Sequence, residues 1–181
     1  TVRWFSKEDV EGARGHAKEV CGKVMVSRYE GRIVLGEERR PVVFRFNVVG
    51  GNFVTESAVV GEKGEKIAVT GRCTAIGIGE VMKDLRDSES GMKRVCVKRS
   101  EFEGMEELAK RSAIETGLKV AGVDVAMVVR EDASIGGVVL EVNARPGSLI
   151  MAEKLTFDDA GNVKCEPVSP IPETFLDASF T

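Results

Sequence analysis

The segment Val138–Ser148, which reads VVLEVNARPGS, carries two oxygen-bearing side chains at strand spacing. Glu141 and Asn143 lie two residues apart, and alternate residues of a β-strand point to the same face of the sheet. They follow an apolar run and precede a Pro-Gly turn. Carboxylate and amide oxygens side by side are the hard ligands that Mg²⁺ or Mn²⁺ takes in proteins. The alternative is a strand that simply runs out into solvent through a turn.

A further acidic residue, Asp124, lies in the middle of the apolar stretch Val120–Val129. A carboxylate in a buried strand is costly unless it is paired or holds a cation. The intervening sequence REDASIGG suits a hairpin, so pairing of the two strands would bring Asp124 close to Glu141 and Asn143. The sequence therefore indicates a cluster of two carboxylates and one amide. Alternatively, Asp124 forms a salt bridge with Arg45 or with another buried cation.

Arg45 lies within the strand-like segment VVFRFNVV. Its guanidinium is either buried in an ion pair or faces a cleft, where its planar fork would suit a phosphate or carboxylate ligand. Aspartate, glutamate, asparagine and arginine converging on one sheet edge are typical of a site for a metal–triphosphate complex.

The elements that must position these residues are predicted from periodicity. The pattern indicates an α+β fold, a mainly antiparallel sheet of roughly five strands with packed helices. The clearest helix begins at a capping box formed by Ser100 and Glu103 and ends at Gly117. Residues 71–94 are the least regular segment and are predicted to form a mobile loop. The other predicted elements are a helix from Ser6 to about Gly22, strands at Lys23–Tyr29, Ile33–Leu35 and Leu118–Val129, and a hairpin at Leu155–Cys165. Val42–Val54 is predicted to form an antiparallel pair of strands with a hairpin turn at Gly50-Gly51-Asn52.

Composition excludes several classes of protein. The chain has 181 residues, of which 43% are hydrophobic, and that is enough for a buried core. The net charge of −3 provides neither a basic surface for nucleic acid nor a polybasic membrane patch, and the apolar runs are too short to span a bilayer. The four cysteines form no CxxC pair, which favours reduced thiols and a cytoplasmic location, with one disulfide pair left open.

Three segments resemble the ATP-grasp superfamily, and most closely the carboxylate–amine ligases related to ribosomal-protein glutamate ligases. Phe44–Val54 (FRFNVVGGNFV) is similar to the Arg-bearing strand and glycine turn of that family. Ala113–Val128 (AIETGLKVAGVDVAMV) is similar to its helix, glycine stop and Gly-Val-Asp strand. Leu140–Gly147 (LEVNARPG) resembles its metal-binding Glu-x-Asn motif and Pro-Gly turn. Together they anchor an ATP-grasp-like C-terminal lobe over roughly residues 24–150.

The resemblance implies a role for each residue of the predicted site. Asp124, Glu141 and Asn143 would hold one or two Mg²⁺ (or Mn²⁺) ions that bridge the phosphates of ATP. Arg45 would bind the transferred phosphate or the acyl phosphate made from it. Arg145 would contact a substrate carboxylate or phosphate, or else is a solvent-facing turn residue.

The resemblance also implies a nucleotide-base site and a division of the chain. The backbone of Met25, Val26 and Ser27, in the hinge strand, would contact the adenine edge, and Leu140 would form the apolar floor under the ring. The implied parts are the end of the smaller lobe with the hinge strand (1–30), the larger lobe (31–152), and a C-terminal hairpin with a Pro-rich tail (153–181).

The implied activity is ATP-dependent ligation of a carboxylate to an amine, or sometimes a thiol, through an acyl phosphate. The substrates would be small molecules or peptides. The chain departs from the family pattern at Val43, where an acidic residue is common, and at Ser27-Arg28, where Gln-Glu is usual. It also begins too close to the hinge to include the smaller lobe with its phosphate-binding lysine, so we expect a fragment that is inactive alone. Two alternatives stay open: a non-catalytic nucleotide-binding or homo-oligomerisation module, and an ATP-grasp small-molecule kinase.

Overall fold

A computed structural model describes residues 11–12, 14–15, 33–65, 68, 72–144 and 153–167. The chain divides into two compact units, Thr1–Glu30 and Gly31–Thr181. In the first unit the described residues are helical, within the helix predicted from Ser6 to Gly22. The predicted strand Lys23–Tyr29 lies outside the described residues. The second unit contains all the elements named below.

The second unit is an α+β structure in which every described strand pair is antiparallel, as predicted. The strands are β1 (Ile33–Leu35), β2 (Arg40–Val49), β3 (Asn52–Gly61), β4 (Cys73–Ile76), β5 (Leu85–Asp87), β6 (Lys93–Arg94), β7 (Val120–Val129), β8 (Ile135–Asn143), β9 (Glu153–Phe157) and β10 (Val163–Pro167), and the helices are α1 (Ile78–Met82) and α2 (Arg99–Glu115). Among the residues described, neither helix has the length and apolar character that a bilayer crossing requires.

Four long strands form the centre of the sheet in the order β3–β2–β7–β8. The hairpin between β2 and β3 turns at Gly50 and Gly51, whose φ angles are 57° and 78°. Two consecutive residues with positive φ are what a tight two-residue hairpin requires, and only glycine adopts them without strain. The predicted Gly-Gly turn is therefore confirmed. The register that it sets determines which polar residues meet across the strands.

Helix α2 covers one face of this sheet and packs against β8, β7 and β2. It buries Phe102, Met105 and Ala109, and the Phe102 ring lies 5.7 Å from that of Phe46 in β2. Such aromatic pairs add to the stabilisation that apolar burial gives. The helix ends as predicted, because Gly117 takes the left-handed conformation with φ at 70°. The helix-covered face is therefore the core side of the sheet.

The start of α2 differs from the prediction. The N-cap is Lys98, not Ser100, and the residue that reaches back to it is Glu101, not Glu103. Glu101 Oε2 accepts the Lys98 backbone N–H at 2.8 Å, while its Oε1 accepts the Ile135 N–H at 2.8 Å. The second bond joins the helix start to β8. The contact with β8 therefore favours Glu101 over Glu103, which the sequence alone made equally plausible as the capping glutamate.

Two further expectations about the sheet were wrong. The sheet has ten strands in the described part of the chain, whereas roughly five were predicted. Residues 71–94 are not an irregular loop, because they contain β4, α1, β5 and β6. These elements are short, and the periodicity of a segment of two to five residues is too weak to recognise. Their apolar residues enter the core through long-range contacts; Ile78, Val81 and Leu85 are fully buried.

Gly137 of β8 lies between side chains of β7 and α2 with no room for a Cβ, and alanine there should destabilise the protein. An added Cβ would lie 2.8 Å from Val125 Cγ1 and 2.9 Å from Met105 Cγ. We expect Gly137→Ala to lower the free energy of unfolding by about 1–3 kcal/mol, measured by urea titration. Gly104 is the matched control, since nothing lies within 4 Å of its added Cβ and alanine favours helix. Stabilisation by both substitutions would show that the interface has room at Gly137.

Candidate metal and oxyanion site

A row of polar side chains crosses the four central strands on the face opposite α2. Arg45 of β2 lies directly opposite Asp124 of β7, and Asp124 lies directly opposite Glu141 of β8. Ser57 of β3 continues the row on the other side of Arg45. Directly opposed residues in antiparallel strands point to the same face, with Cβ atoms about 5 Å apart. Pairing of β7 with β8 confirms that Asp124 meets Glu141, as the sequence predicted.

Arg45 and Asp124 form a bidentate ion pair. Arg45 Nε donates to Asp124 Oδ1 at 2.7 Å, and Arg45 Nη2 donates to Asp124 Oδ2 at 2.7 Å. The two side chains are only 18% and 12% exposed. The hydrogen bond to Asp124 is the main reason that the pKa of Arg45 is raised; burial opposes this, and the charges of Asp124 and Glu141 add to it. The sequence left two possibilities for Asp124, a cation ligand or a salt bridge with Arg45, and in the structure it forms the salt bridge.

A β-bulge next to this pair brings two consecutive residues of β8 to the surface. Asp124 is paired with Glu141 and Val125 with Val139, so Leu140 is the extra residue of the bulged strand. Leu140 is 37% exposed and Glu141 is exposed as well. The bulge thus places an accessible apolar side chain beside the accessible carboxylate. Its proposed role as the floor beneath a nucleotide base stays a prediction.

A second polar row lies beside the first on the same face of the sheet, two residues away from it in each strand. It contains Asn143, Asn47 and Thr55, with Gly122 between Asn143 and Asn47. Asn47 Nδ2 donates to Thr55 Oγ1 at 2.9 Å. Asn47 Oδ1 and the Oγ of Ser57 make no hydrogen bond to any residue in the described part of the chain, although both residues are fully buried. The sequence interpretation assigned no role to Asn47. The available signal was its position two residues after Arg45, which puts both polar groups on one face of an apolar strand.

The remaining predicted site residues cannot be placed. Arg145, Met25, Val26 and Ser27 all lie outside the described residues. Within the described part of the chain, no group of three or more histidine, cysteine, aspartate and glutamate side chains is arranged to hold a metal ion. The row supplies two carboxylates, and the amide of Asn143 would have to provide a further protein oxygen. Cys73, Cys96 and Cys165 are free thiols and belong to neither row.

A second acidic cluster, which the sequence did not indicate, lies on the core side. Glu56 of β3 is fully buried, and its Oε2 accepts the Leu155 backbone N–H of β9 at 2.7 Å. Burial raises the pKa of Glu56 to about 9, and the neighbouring Glu106 carboxyl adds to this while the Leu155 bond opposes it. Lys154 Nζ lies 3.8 Å from Glu106 Oε1. A neutral, protonated Glu56 is the form that such a site holds.

Two surface grooves flank α2. One, of about 350 Å³, lies between α2 and β8 beside Arg111 and Arg130, and the other, of about 260 Å³, lies between α2 and β9. Neither is lined by Arg45, Asp124 or Glu141. The polar rows therefore form a site distinct from both grooves.

Comparison with models of known protein families gave no match, and comparison with curated proteins gave none. The likeness to ATP-grasp enzymes therefore depends on the three sequence segments alone. The geometry of the two polar rows is a separate observation, and both enter the proposal below.

Proposed function

We propose that this chain provides the metal- and phosphate-binding lobe of an ATP-dependent ligase of the ATP-grasp type. The reaction would join a carboxylate to an amine or a thiol. The observation that carries the proposal is the row of Arg45, Asp124 and Glu141 across three adjacent strands. It combines a guanidinium fork with two carboxylates on one face of a sheet, which is the charge pattern that a metal–triphosphate complex requires.

The donor set fits a hard divalent cation such as Mg²⁺ or Mn²⁺. Glu141 is exposed, and Asn143 lies two residues away on the same face. Each oxygen of Asp124 accepts one hydrogen bond from Arg45 and keeps a further lone pair. Asp124, Glu141 and Asn143 would therefore hold the cation, with water and phosphate oxygens in the remaining positions. Bound Mg·ATP would supply the phosphoryl group that activates a carboxylate as its acyl phosphate.

The residues of this chain would act by positioning and by charge neutralisation. The Arg45 guanidinium would hold the anionic phosphoryl or acyl-phosphate oxygens in a site shielded from water, where its charge has a larger effect. Exposed Leu140 and Val138 would contact the apolar faces of the nucleotide. In the second step the amine nitrogen attacks the acyl carbon. The C–N bond forms, the C–O bond to phosphate breaks, and the amine loses a proton.

One observation favours a second candidate, a non-catalytic module. The bidentate pair with Arg45 satisfies Asp124 without any cation. A structural ion pair in a retained fold would show the same geometry. The two candidates assign different roles to Glu141. In the ligase this exposed carboxylate is a metal ligand, whereas in a purely structural row it has no ligand.

Calorimetric titration with Mg·ATP separates the two candidates. We expect binding that depends on the metal and that weakens about tenfold or more in Glu141→Gln, equivalent to about 1.4 kcal/mol or more, because one anionic ligand is lost. The matched control is Glu115→Gln, which removes the same charge from an exposed position at the end of α2. Thermal unfolding of all three proteins checks that the fold is unchanged.

Equal affinity of the wild-type chain and Glu141→Gln would contradict the metal assignment. Partner capture that is insensitive to Glu141→Gln, combined with no Mg·ATP binding, would favour the non-catalytic module. Release of ADP without consumption of any amine would instead indicate a small-molecule kinase built on the same site.

A further inference from the structure

We infer that the Arg45–Asp124 ion pair makes cation binding and oxyanion binding depend on each other. This inference rests on the proposed function, since it concerns the same site. Asp124 is a proposed cation ligand and Arg45 is the proposed oxyanion ligand, and in the described structure each is the partner of the other. Neither the cation nor the oxyanion can bind its residue without weakening the ion pair.

The geometry makes that competition strong. Both oxygens of Asp124 and two nitrogens of Arg45 take part in the pair at 2.7 Å. The two side chains are largely buried, so solvent compensates little when one of them is released alone. A cation that binds Asp124 alone draws on the negative charge that compensates Arg45, and an oxyanion that binds Arg45 alone draws on the positive charge that compensates Asp124. A cation and an oxyanion that arrive together leave neither charge unpaired.

Neighbouring residues increase the effect. Glu141, directly opposite Asp124 in β8, adds a second negative charge beside the pair. Ser57, on the other side of Arg45 in the same row, has a buried Oγ that makes no hydrogen bond to any described residue. In the described structure Arg45 is therefore bonded to Asp124 and not to Ser57.

Selectivity follows from this arrangement. The free cation and the free oxyanion each bind weakly, whereas the complex of a divalent cation with a polyphosphate binds well. Because coupling between two ligands is reciprocal, each one raises the affinity for the other by the same factor, typically about 5- to 150-fold. The site would thus bind the metal-loaded nucleotide in preference to either component.

The test uses two simple probes, Mn²⁺ alone and inorganic tripolyphosphate without metal. Asp124→Asn removes the carboxylate that holds Arg45, so we expect tripolyphosphate to bind at least about fivefold more tightly than to the wild-type chain. Glu141→Gln is the matched control, because it removes one negative charge from the same row without releasing Arg45. We expect it to have a clearly smaller effect.

The reciprocal variant tests the other half. Arg45→Gln releases Asp124, and we expect Mn²⁺ alone to bind at least about fivefold more tightly than to the wild-type chain. Its control is Arg72→Gln, which removes the same charge from the exposed ion pair with Glu65. If Arg45→Gln does not fold, the comparison of Asp124→Asn with Glu141→Gln decides, since replacement of aspartate by asparagine preserves the shape of the side chain.

The outcomes separate this inference from the proposed function. Equal gains in tripolyphosphate affinity for Asp124→Asn and Glu141→Gln would overturn the inference, even if the wild-type chain binds Mg·ATP in a Glu141-dependent way. A selective gain for Asp124→Asn would support it. If that gain occurs while the wild-type chain does not bind Mg·ATP, the ion pair masks an oxyanion site and the ligase assignment fails.

Discussion

The wild-type protein should become less stable as the pH rises from about 5 to about 9, and replacement of Glu56 by glutamine should abolish this pH dependence. Glu56 is fully buried, and its Oε2 accepts the Leu155 N–H, while its Oε1 has no hydrogen-bond partner among the described residues. When it is protonated, Glu56 can donate a hydrogen bond to the nearby Glu106 carboxyl. Glutamine reproduces this neutral state, because its amide nitrogen donates in place of the proton.

The sign of the effect follows from proton linkage. Burial, followed by the Glu106 carboxyl, raises the pKa of Glu56 from about 4.5 to about 9 in the folded protein. Between these values the folded state binds one more proton than the unfolded state. The stabilising contribution is therefore complete below about 4.5 and is lost as the pH rises towards about 9. The slope for one proton is at most about 1.4 kcal/mol per pH unit.

Urea unfolding at several pH values between about 5 and 9 measures the difference between wild-type and Glu56→Gln. The curves should nearly coincide at the acidic end and diverge by several kcal/mol at the alkaline end. The other charged or titratable groups near Glu56 are Glu106, Lys154, Glu153 and Cys165, and they stay in both proteins, so the difference isolates Glu56. Glu115→Gln controls for the loss of an exposed carboxylate. Parallel curves for wild-type and Glu56→Gln would mean that Glu56 is ionised in the fold.

Replacement of Arg45 by methionine should cost about 3 kcal/mol of folding free energy, whereas replacement of both Arg45 and Asp124 should cost far less. The single variant leaves Asp124 as an unpaired carboxylate in a site that is only 12% exposed. The double variant Arg45→Met/Asp124→Leu removes both charges and fills the space with apolar groups. Breaking a buried pair is costly because of the charge left behind, and this holds even where the intact pair contributes little.

A double-mutant cycle measured by chemical unfolding tests this expectation, with Arg72→Met and Glu65→Leu as the control pair at the surface. The exposed control should show coupling of less than about 1 kcal/mol. A stable double variant that no longer binds Mg·ATP would mean that the Arg45–Asp124 pair is needed for binding but not for folding. Additive losses in the Arg45–Asp124 cycle would contradict the expectation and indicate that each residue stabilises the fold through other contacts.

The parts of the fold that could be predicted are those with a strong local signal. Gly50-Gly51 indicated a tight hairpin, and Gly117 indicated the end of α2, because both positions need a positive φ that glycine adopts easily. The approach of Asp124 to Glu141 was predictable as well, since a short polar turn joins two apolar strands. Local signals failed for residues 71–94, where the elements are short and long-range contacts stabilise them.

The residues of the site were evident in the sequence, but their interactions were not. Alternation alone placed Arg45 and Asn47 on one face of β2, and Asp124 inside an apolar strand required some compensation. The strand register determines which group neutralises the charge of Asp124. The β2–β7 pairing places Arg45 opposite Asp124, and a shift of one residue would have turned Arg45 to the other face.

The sequence by itself therefore determined the antiparallel α+β character, the tight turns and the chemical nature of the candidate ligands. Only the tertiary structure decided that Asp124 is paired with Arg45, that a bulge exposes Leu140 beside Glu141, and that Glu56 is buried next to Glu106. The physical reason is the range of the interactions. Backbone conformation and side-chain alternation depend on adjacent residues, whereas ion pairs and burial join residues far apart in the chain, and only strand register brings these together.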